Sequence, residues 1–137
     1  MYPEDLIQPM RQELIDAGLS EIRSSDEVKK NIESEGTTFV VINSVCGCAA
    51  ANARPAVRLA LKGSEKLPDR MITSFAGNDV EAVDTARELM APFPPSSPSM
   101  ALFKNGQLVH MIERHHIEGR NAELISENLQ GAFQEHC

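Results

Sequence analysis

Residues 37–53 read TTFVVINSVCGCAAANA, and this stretch decides the fold class. Its first six residues, 37–42, are β-branched or apolar almost throughout, which is typical of a strand buried on both faces of a sheet. Its last five residues, 49–53, are rich in alanine, the best helix former. Cys46 and Cys48 lie between the two segments. The sequence therefore predicts a cysteine pair at the junction of a buried strand and a helix.

Helical and strand patterns alternate on both sides of this junction. Helices are predicted over residues 3–18, 24–35, from the alanine run to beyond Leu61, 78–90 and 120–133, and strands over 19–23, 37–42, 71–75, 100–103 and 107–112. Helices between successive strands imply parallel crossovers, and Asn105-Gly106 predicts a tight antiparallel hairpin. We therefore predict a three-layer α/β/α sandwich with a mixed central sheet and an extra N-terminal helix.

Three local signals refine this prediction. Ser24 with Glu27 three residues later forms a capping-box pattern, and Asn78 with Glu81 forms a similar helix start. Pro55 falls inside the helix that follows the cysteines. Because proline has no backbone N–H and clashes with the preceding turn, a kink is expected there.

Length and charge exclude several classes of protein. A chain of 137 residues corresponds to one domain, which we assign to residues 1–137. Lys plus Arg number 13 and Asp plus Glu number 20, a net charge of −7 that argues against nucleic acid and anionic membranes as main partners. The longest apolar runs are far too short to span a bilayer. No basic, apolar leader follows Met1, so we expect a cytoplasmic protein.

The three cysteines are an odd number in such a chain, which favours a redox or metal site over a disulfide scaffold. Unpaired N–H groups and the helix dipole at a helix start favour a thiolate, the nucleophilic form of cysteine. Cys46 precedes the helix and should be the more exposed of the pair. We therefore assign Cys46 as the nucleophile and Cys48 as the resolving thiol.

The spacing of the pair limits its chemistry. Residues i and i+2 of a helix do not face each other, so a Cys46–Cys48 disulfide requires Cys46 outside the helix and unusual dihedral angles at Gly47. The closed ring would be tight, and a strained disulfide is more easily reduced. Our hypothesis is that the protein is not a strong reductant. It should act nearer the oxidising or isomerising end, or on mixed disulfides.

Ser97-Pro98-Ser99 immediately precedes a predicted strand. X-Pro bonds are the ordinary site of cis peptides, and a cis bond here would leave the backbone of Ser97 or Ser99 free to pair with an extended substrate. The low frequency of cis bonds favours a trans proline in a plain loop.

The cysteine pair is also compatible with other functions. Cys46 and Cys48 could form a zinc or iron–sulfur site with His110, His115 or His116, and the chain would then be a metal or iron–sulfur carrier. Adjacent histidines on a strand point to opposite faces, so only one of them could join a ligand set, and Cys-x-Cys alone is a weak metal pattern. A third alternative is a redox-sensing interaction module.

Two further residues are candidates for supporting roles. Arg54, on the helix that follows the cysteines, could help to hold a thiolate, but we interpret it as a surface arginine. Cys137 is the last residue and should be a loosely held, exposed thiol. It could resolve a mixed disulfide or link two chains, and we regard neither role as the default.

Three stretches resemble the bacilliredoxin family, which has a Cys-Gly-Cys active site. They read NSVCGCAA, PPSSPS and LVHMIERHHIEGR and cover residues 43–50, 94–99 and 108–120. The resemblance extends over nearly the whole chain. It implies a thioredoxin-like fold and the reduction of mixed disulfides between proteins and bacillithiol, a bacterial low-molecular-weight thiol.

The same resemblance implies roles for individual residues. Cys46 would attack the bacillithiolated protein and take up the bacillithiol, and a second thiol would resolve it. Pro98 matches the cis-proline of thioredoxin-like folds, so we expect Gly47 and Ser97-Pro98-Ser99 to contact substrate. Disulfide isomerase activity is also associated with such proteins. The implied partners are mixed-disulfide proteins, a low-molecular-weight thiol and a recycling reductase, with no cofactor and no metal.

Overall fold

The computed structural model of the chain describes residues 1–137 and is centred on the strand predicted from residues 37–42. Every residue of this strand, β2 (Thr37–Asn43), is buried. It pairs in parallel with β3 (Arg70–Phe75) and antiparallel with β4 (Ser99–Lys104). A short β1 (Ser20–Glu21) lies outside β3, and β5 (Gln107–Ile112) lies outside β4. The sheet order is β1-β3-β2-β4-β5, a mixed sheet as predicted.

Helices lie on both faces of the sheet. They are α1 (Glu4–Asp16), α2 (Ser25–Ile32), α3 (Arg54–Gly63), α4 (Val80–Leu89), α5 (Arg114–Ile117) and α6 (Ala122–His136), and a π-helical turn (Ala49–Ala53) precedes α3. No helix combines the length and the apolar character needed to cross a membrane.

Alternation along β2 separates two hydrophobic cores. Phe39 and Val41 join a cluster of 17 buried residues that also draws on α1, α3 and α6. Val40 and Ile42 point the other way into a cluster of 12 that includes residues of α2 and α4. Because successive strand residues face opposite sides, a strand with no polar face requires both layers. The three-layer prediction is therefore correct.

The N-terminal helix is joined to the carboxyl end of β3 by buried charges. The guanidinium of Arg11 is 2% exposed and donates two hydrogen bonds of 2.8 Å to the carboxylate of Asp79. It also donates to Glu4 and lies 5.4 Å from the ring centroid of Phe75. Burial by itself would raise the pKa of Asp79, but hydrogen bonds from Arg11 and from the Phe75 N–H outweigh it and lower that pKa.

Some local predictions need correction. Ser24 caps α2 as expected, its hydroxyl accepting from the Glu27 N–H at 3.2 Å. Asn78 does not cap α4, because its side chain both accepts from and donates to the backbone of Tyr2. The expected irregularity at Pro55 takes the form of the π-helical turn just before it, in which the Arg54 N–H bonds to the Ala49 carbonyl.

Replacing Asp79 tests how strongly α1 is held. We expect Asp79→Asn to lower the free energy of unfolding by about 3 kcal/mol, because it leaves the buried Arg11 charge undercompensated. The matched control is Asp16→Asn, which alters an exposed carboxylate with a single side-chain hydrogen bond, from Gln12, and should cost under about 1 kcal/mol. Urea denaturation measures both values, and equal losses would contradict the account.

The stability difference between the native protein and Asp79→Asn depends on pH. A carboxylate whose pKa is lowered on folding contributes stability above its unfolded pKa of about 4, and that stability is lost as the pH falls through the folded value. The stability difference between the native protein and Asp79→Asn should therefore be constant near neutral pH and shrink below about pH 4. A difference that grows on acidification would show that the sign is wrong.

Candidate active site

Cys46 and Cys48 are joined by a disulfide at the point where the chain leaves β2 and enters the helix, with Cα atoms 5.4 Å apart. Helical geometry begins at Gly47, and the Cys46 carbonyl accepts the N–H groups of Ala49 and Ala50 at 3.0 and 3.3 Å. Cys46 therefore stands immediately outside the helix, as predicted. Its position at a helix start favours a thiolate when the pair is reduced.

The two cysteines have different surroundings. Cys48 is partly buried and packs against the core cluster under α3 and α6. Cys46 is also partly buried but lies outside that cluster, and its N–H donates to the Ser44 hydroxyl at 3.3 Å. When the disulfide opens, Cys48 is thus the sulfur held by the protein interior.

Gly47 is exposed, but its backbone differs from our expectation. The chain has five glycines with positive φ, and Gly47 is not among them, so the predicted unusual dihedral angles are wrong. The helix begins at Gly47 itself, so this residue has no special turn to make. Apart from its chain neighbours Cys46 and Cys48 and the backbone of its own helix, a Cβ built at Gly47 would meet no atom within 4 Å. The glycine leaves open surface between the two cysteines.

Arg54 is not the surface residue that we predicted. Its side chain is 3% exposed and lies under the loop before the cysteines. It donates to the Glu13 carboxylate at 2.8 Å, to Asn43 Oδ1 at 3.1 Å and to the Ser44 carbonyl at 2.8 Å. The prediction failed because α1 covers this side of α3, a long-range contact that no local pattern indicates.

Asn43 connects the same loop to α1. Its side chain donates to the Met10 carbonyl at 3.1 Å and accepts from the Ser44 N–H at 2.9 Å, in addition to the bond from Arg54. Asn43, Ser44 and Glu13 were not identified from the sequence. The available signal was a polar residue placed directly after a buried apolar strand.

The loop that contains Pro98 lies beside the cysteine loop. The Ser97–Pro98 peptide is cis, as the resemblance implied, and Ala91–Pro92 is cis as well. Ser99 opposes Ile42 in the β2–β4 ladder, so Pro98 flanks the end of β2 next to the cysteine loop.

The residues on either side of this proline differ in accessibility. Ser99 is buried, whereas Ser97 is partly exposed. The Ser97 carbonyl accepts from Arg114 at 3.2 Å, and its N–H donates to no protein group. Of the two residues whose backbones we predicted to be free, only Ser97 is partly exposed and has an N–H without a protein partner.

The histidines lie in a different element from the one we predicted. His115 and His116 belong to α5 and not to a strand, so the opposite-face argument was wrong. Their ring nitrogens and the Glu113 carboxylate lie within 4.8 Å of one another, and neither cysteine joins this group. The Glu113 N–H donates to His116 Nδ1 at 3.0 Å, and burial lowers the pKa of His116. Glu113 and His116 thereby form the capping box of α5.

Cys137 lies far from the disulfide. It is not the loosely held, exposed thiol that we predicted, because it packs against the core cluster and its N–H donates to the Phe133 carbonyl at 2.8 Å. Burial raises the pKa of its thiol, and Thr37 is among its neighbours. Thr37 begins β2 and Cys46 follows its other end. A strand of seven residues is about 20 Å long, so Cys137 and the cysteine pair occupy opposite ends of the sheet.

Solved structures share this fold at low sequence identity. Mitochondrial thioredoxin 3 from Saccharomyces cerevisiae superposes with a TM-score of 0.58 and 16% identity over 85% of this chain and 94% of its own. A thioredoxin from Trypanosoma brucei brucei gives 0.59 and 15% identity over 86% and 93%. The chain therefore has a thioredoxin-like fold.

Sequence comparisons identify a much nearer family. The family model described as disulphide isomerase matches residues 2–137. A bacilliredoxin from Cytophaga hutchinsonii is 53% identical over 98% of this chain and 99% of its own length. One from Bacillus licheniformis is 53% identical over 99% and 95%. With its disulfide placed where a thioredoxin-like sheet meets a helix, the chain belongs to the bacilliredoxin family and is a thiol–disulfide oxidoreductase.

Proposed function

We propose that the protein reduces mixed disulfides formed between proteins and bacillithiol, that it does so as a single domain spanning residues 1–137, and that it works in the cytoplasm. The observation that carries the proposal is the Cys46–Cys48 disulfide at the carboxyl end of β2, beside Pro98. A disulfide between these two residues is the product that a nucleophile and its resolving thiol leave after one reaction.

The reaction consists of two exchange steps. The Cys46 thiolate attacks the bacillithiol sulfur of the mixed disulfide, a Cys46–bacillithiol bond forms, and the substrate protein leaves as a thiolate that takes up a proton. The Cys48 thiolate then attacks the Cys46 sulfur and releases bacillithiol as a thiolate. Substrate and bacillithiol are reduced, and the cysteine pair is oxidised by two electrons.

The next cycle needs those two electrons back. A recycling reductase, or a low-molecular-weight thiol acting twice, would reduce the Cys46–Cys48 disulfide. If the first mixed disulfide forms with a protein cysteine instead, the bound protein can exchange it for another pairing before release. Disulfide isomerase activity is part of the proposal for this reason.

The substrate would bind across the open surface beside the pair. Gly47 carries no side chain that could block approach to the sulfurs. Ser97 offers an unpaired N–H that could pair with an extended substrate backbone, while Pro98 and Ser99 form the buried base of that segment. In this arrangement Gly47 and Ser97-Pro98-Ser99 select a chain conformation and not a particular side chain.

Trapping tests the two-step reaction. We expect Cys48→Ala, incubated with a bacillithiolated protein, to accumulate a disulfide between Cys46 and bacillithiol, because no thiol displaces the adduct. Intact-mass and fragmentation mass spectrometry would identify the group and its position. Cys46→Ala is the control and should accumulate no adduct. An undiminished adduct in Cys46→Ala would overturn the assignment of the nucleophile.

The third cysteine provides a separate prediction. Because Cys137 lies at the other end of the sheet, Cys137→Ser should reduce a bacillithiolated substrate at a rate within about twofold of the native rate. After reduction, Cys137 should also react with iodoacetamide more slowly than an exposed cysteine in an unfolded peptide, since burial raises its pKa. A severalfold loss of turnover in Cys137→Ser would show that this thiol participates.

A further inference from the structure

The proposed reaction uses two sulfurs but leaves a buried cation unexplained. Arg54 lies six residues after Cys48 and is almost fully enclosed. An arginine taken out of water loses hydration and is retained at low cost only when its donors are well paired. The atoms that pair with this guanidinium are therefore informative about its role.

Its partners come from three segments that meet at the cysteine loop. Nη1 reaches both Asn43 Oδ1, at the last residue of β2, and the carbonyl of Ser44. Nε reaches Glu13 of α1, whose side chain is one-third exposed. The planar guanidinium thus joins the end of the strand, the start of the loop and α1 through donors of fixed relative geometry, which a flexible ammonium does not have.

This contact continues directly to the cysteine. Ser44, whose carbonyl accepts from Arg54, also presents its hydroxyl to the Cys46 N–H. Asn43 fixes the other side of Ser44 by accepting its N–H. Only Val45 separates Ser44 from Cys46, so the conformation that Arg54 imposes on Ser44 determines where the Cys46 sulfur lies.

We propose that Arg54 is a positioning residue of the exchange centre: through Asn43 and the Ser44 carbonyl it fixes the loop from which Cys46 attacks, and it places a buried positive charge against that loop. The proposal rests on the assignment of Cys46 as the nucleophile. Glu13 moderates the effect, because its carboxylate partly neutralises the guanidinium. Through Glu13, helix α1 thereby influences the reactivity of Cys46.

Arg58 provides a matched comparison within the same helix. It lies one turn after Arg54 and approaches the same Glu13 carboxylate at 3.8 Å, but it is half exposed. It makes no hydrogen bond to Asn43 or Ser44. Removing either arginine takes one positive charge from the same neighbourhood, but only the loss of Arg54 frees the loop.

The experiment measures the rate of iodoacetamide labelling of each cysteine in the reduced protein between pH 5 and 9, with mass spectrometry assigning the site. In Arg54→Met, we expect Cys46 labelling at pH 6.5 to slow by about three- to tenfold and the midpoint of its pH profile to rise. Arg58→Met should leave both unchanged. Arg54→Lys should fall between the native protein and Arg54→Met, and Glu13→Gln should label faster than the native protein.

An unchanged Cys46 profile in folded Arg54→Met, or an equal change in Arg58→Met, would overturn the proposal. If Arg54→Met does not fold, Arg54→Lys and Glu13→Gln test the proposal instead. Cys46 labelling profiles identical to that of the native protein in both variants would reject the proposal. The native protein alone tests the underlying assignment, because faster labelling of Cys48 than of Cys46 would reject Cys46 as the nucleophile. The variants still report on Arg54 in that case, since each cysteine is followed separately.

Discussion

Burial of β2 on both faces is the constraint on which the rest of the structure depends. A strand without a polar face must have a neighbouring strand on each side and a helical layer above and below. It can meet solvent only at its ends, and at its carboxyl end the chain has to turn into a helix within a few residues. Cys46 and Cys48 occupy that turn. The reactive pair is therefore partly accessible at the end of a strand that is itself fully buried.

The buried charged residues of this protein, Arg11, Arg54 and Asp79, lie at the same end of the sheet. Arg11 with Asp79 and Arg54 with Glu13 each join α1 to the carboxyl ends of the central strands, and Asn43 adds a hydrogen bond to the α1 backbone. Buried ion pairs rarely increase stability over apolar packing, but losing one partner leaves an uncompensated buried charge, so the observed pairing is strongly preferred over alternatives that break it. Such pairs suit a loop whose sulfur must be placed accurately before exchange can occur.

The parts that were predictable from the sequence are those that follow from local patterns. The apolar run of β2, the Asn105-Gly106 hairpin and the Ser24 cap each depend on neighbouring residues, and together they indicate the layered fold and the place of the cysteine pair. Arg54 was misjudged because its burial depends on α1, about forty residues away in sequence. His115 and His116 were misplaced because the short helix α5 begins with a capping box of Glu113 and His116, a pattern that we did not identify.

The cis peptide at Pro98 was predicted correctly, but not from local pattern. Local sequence favoured the trans form, and only the resemblance to a family supplied the correct prediction. Gly47 gives the opposite lesson, because its presence indicated unusual dihedral angles that the chain does not adopt. Local sequence pattern predicts which helix or strand a residue belongs to. Contacts between elements that are distant in sequence decide what its side chain does, and local pattern does not show them.

The central claim is that Cys46 and Cys48 form a two-thiol exchange centre that works on mixed disulfides. Equilibration of the protein with dithiol and disulfide buffers, followed by alkylation and mass spectrometry, tests it most directly. The account predicts a single two-electron transition that involves Cys46 and Cys48 but not Cys137, at a potential less negative than the roughly −270 mV of thioredoxin. A potential as low as that of thioredoxin, or a transition that includes Cys137, would contradict it.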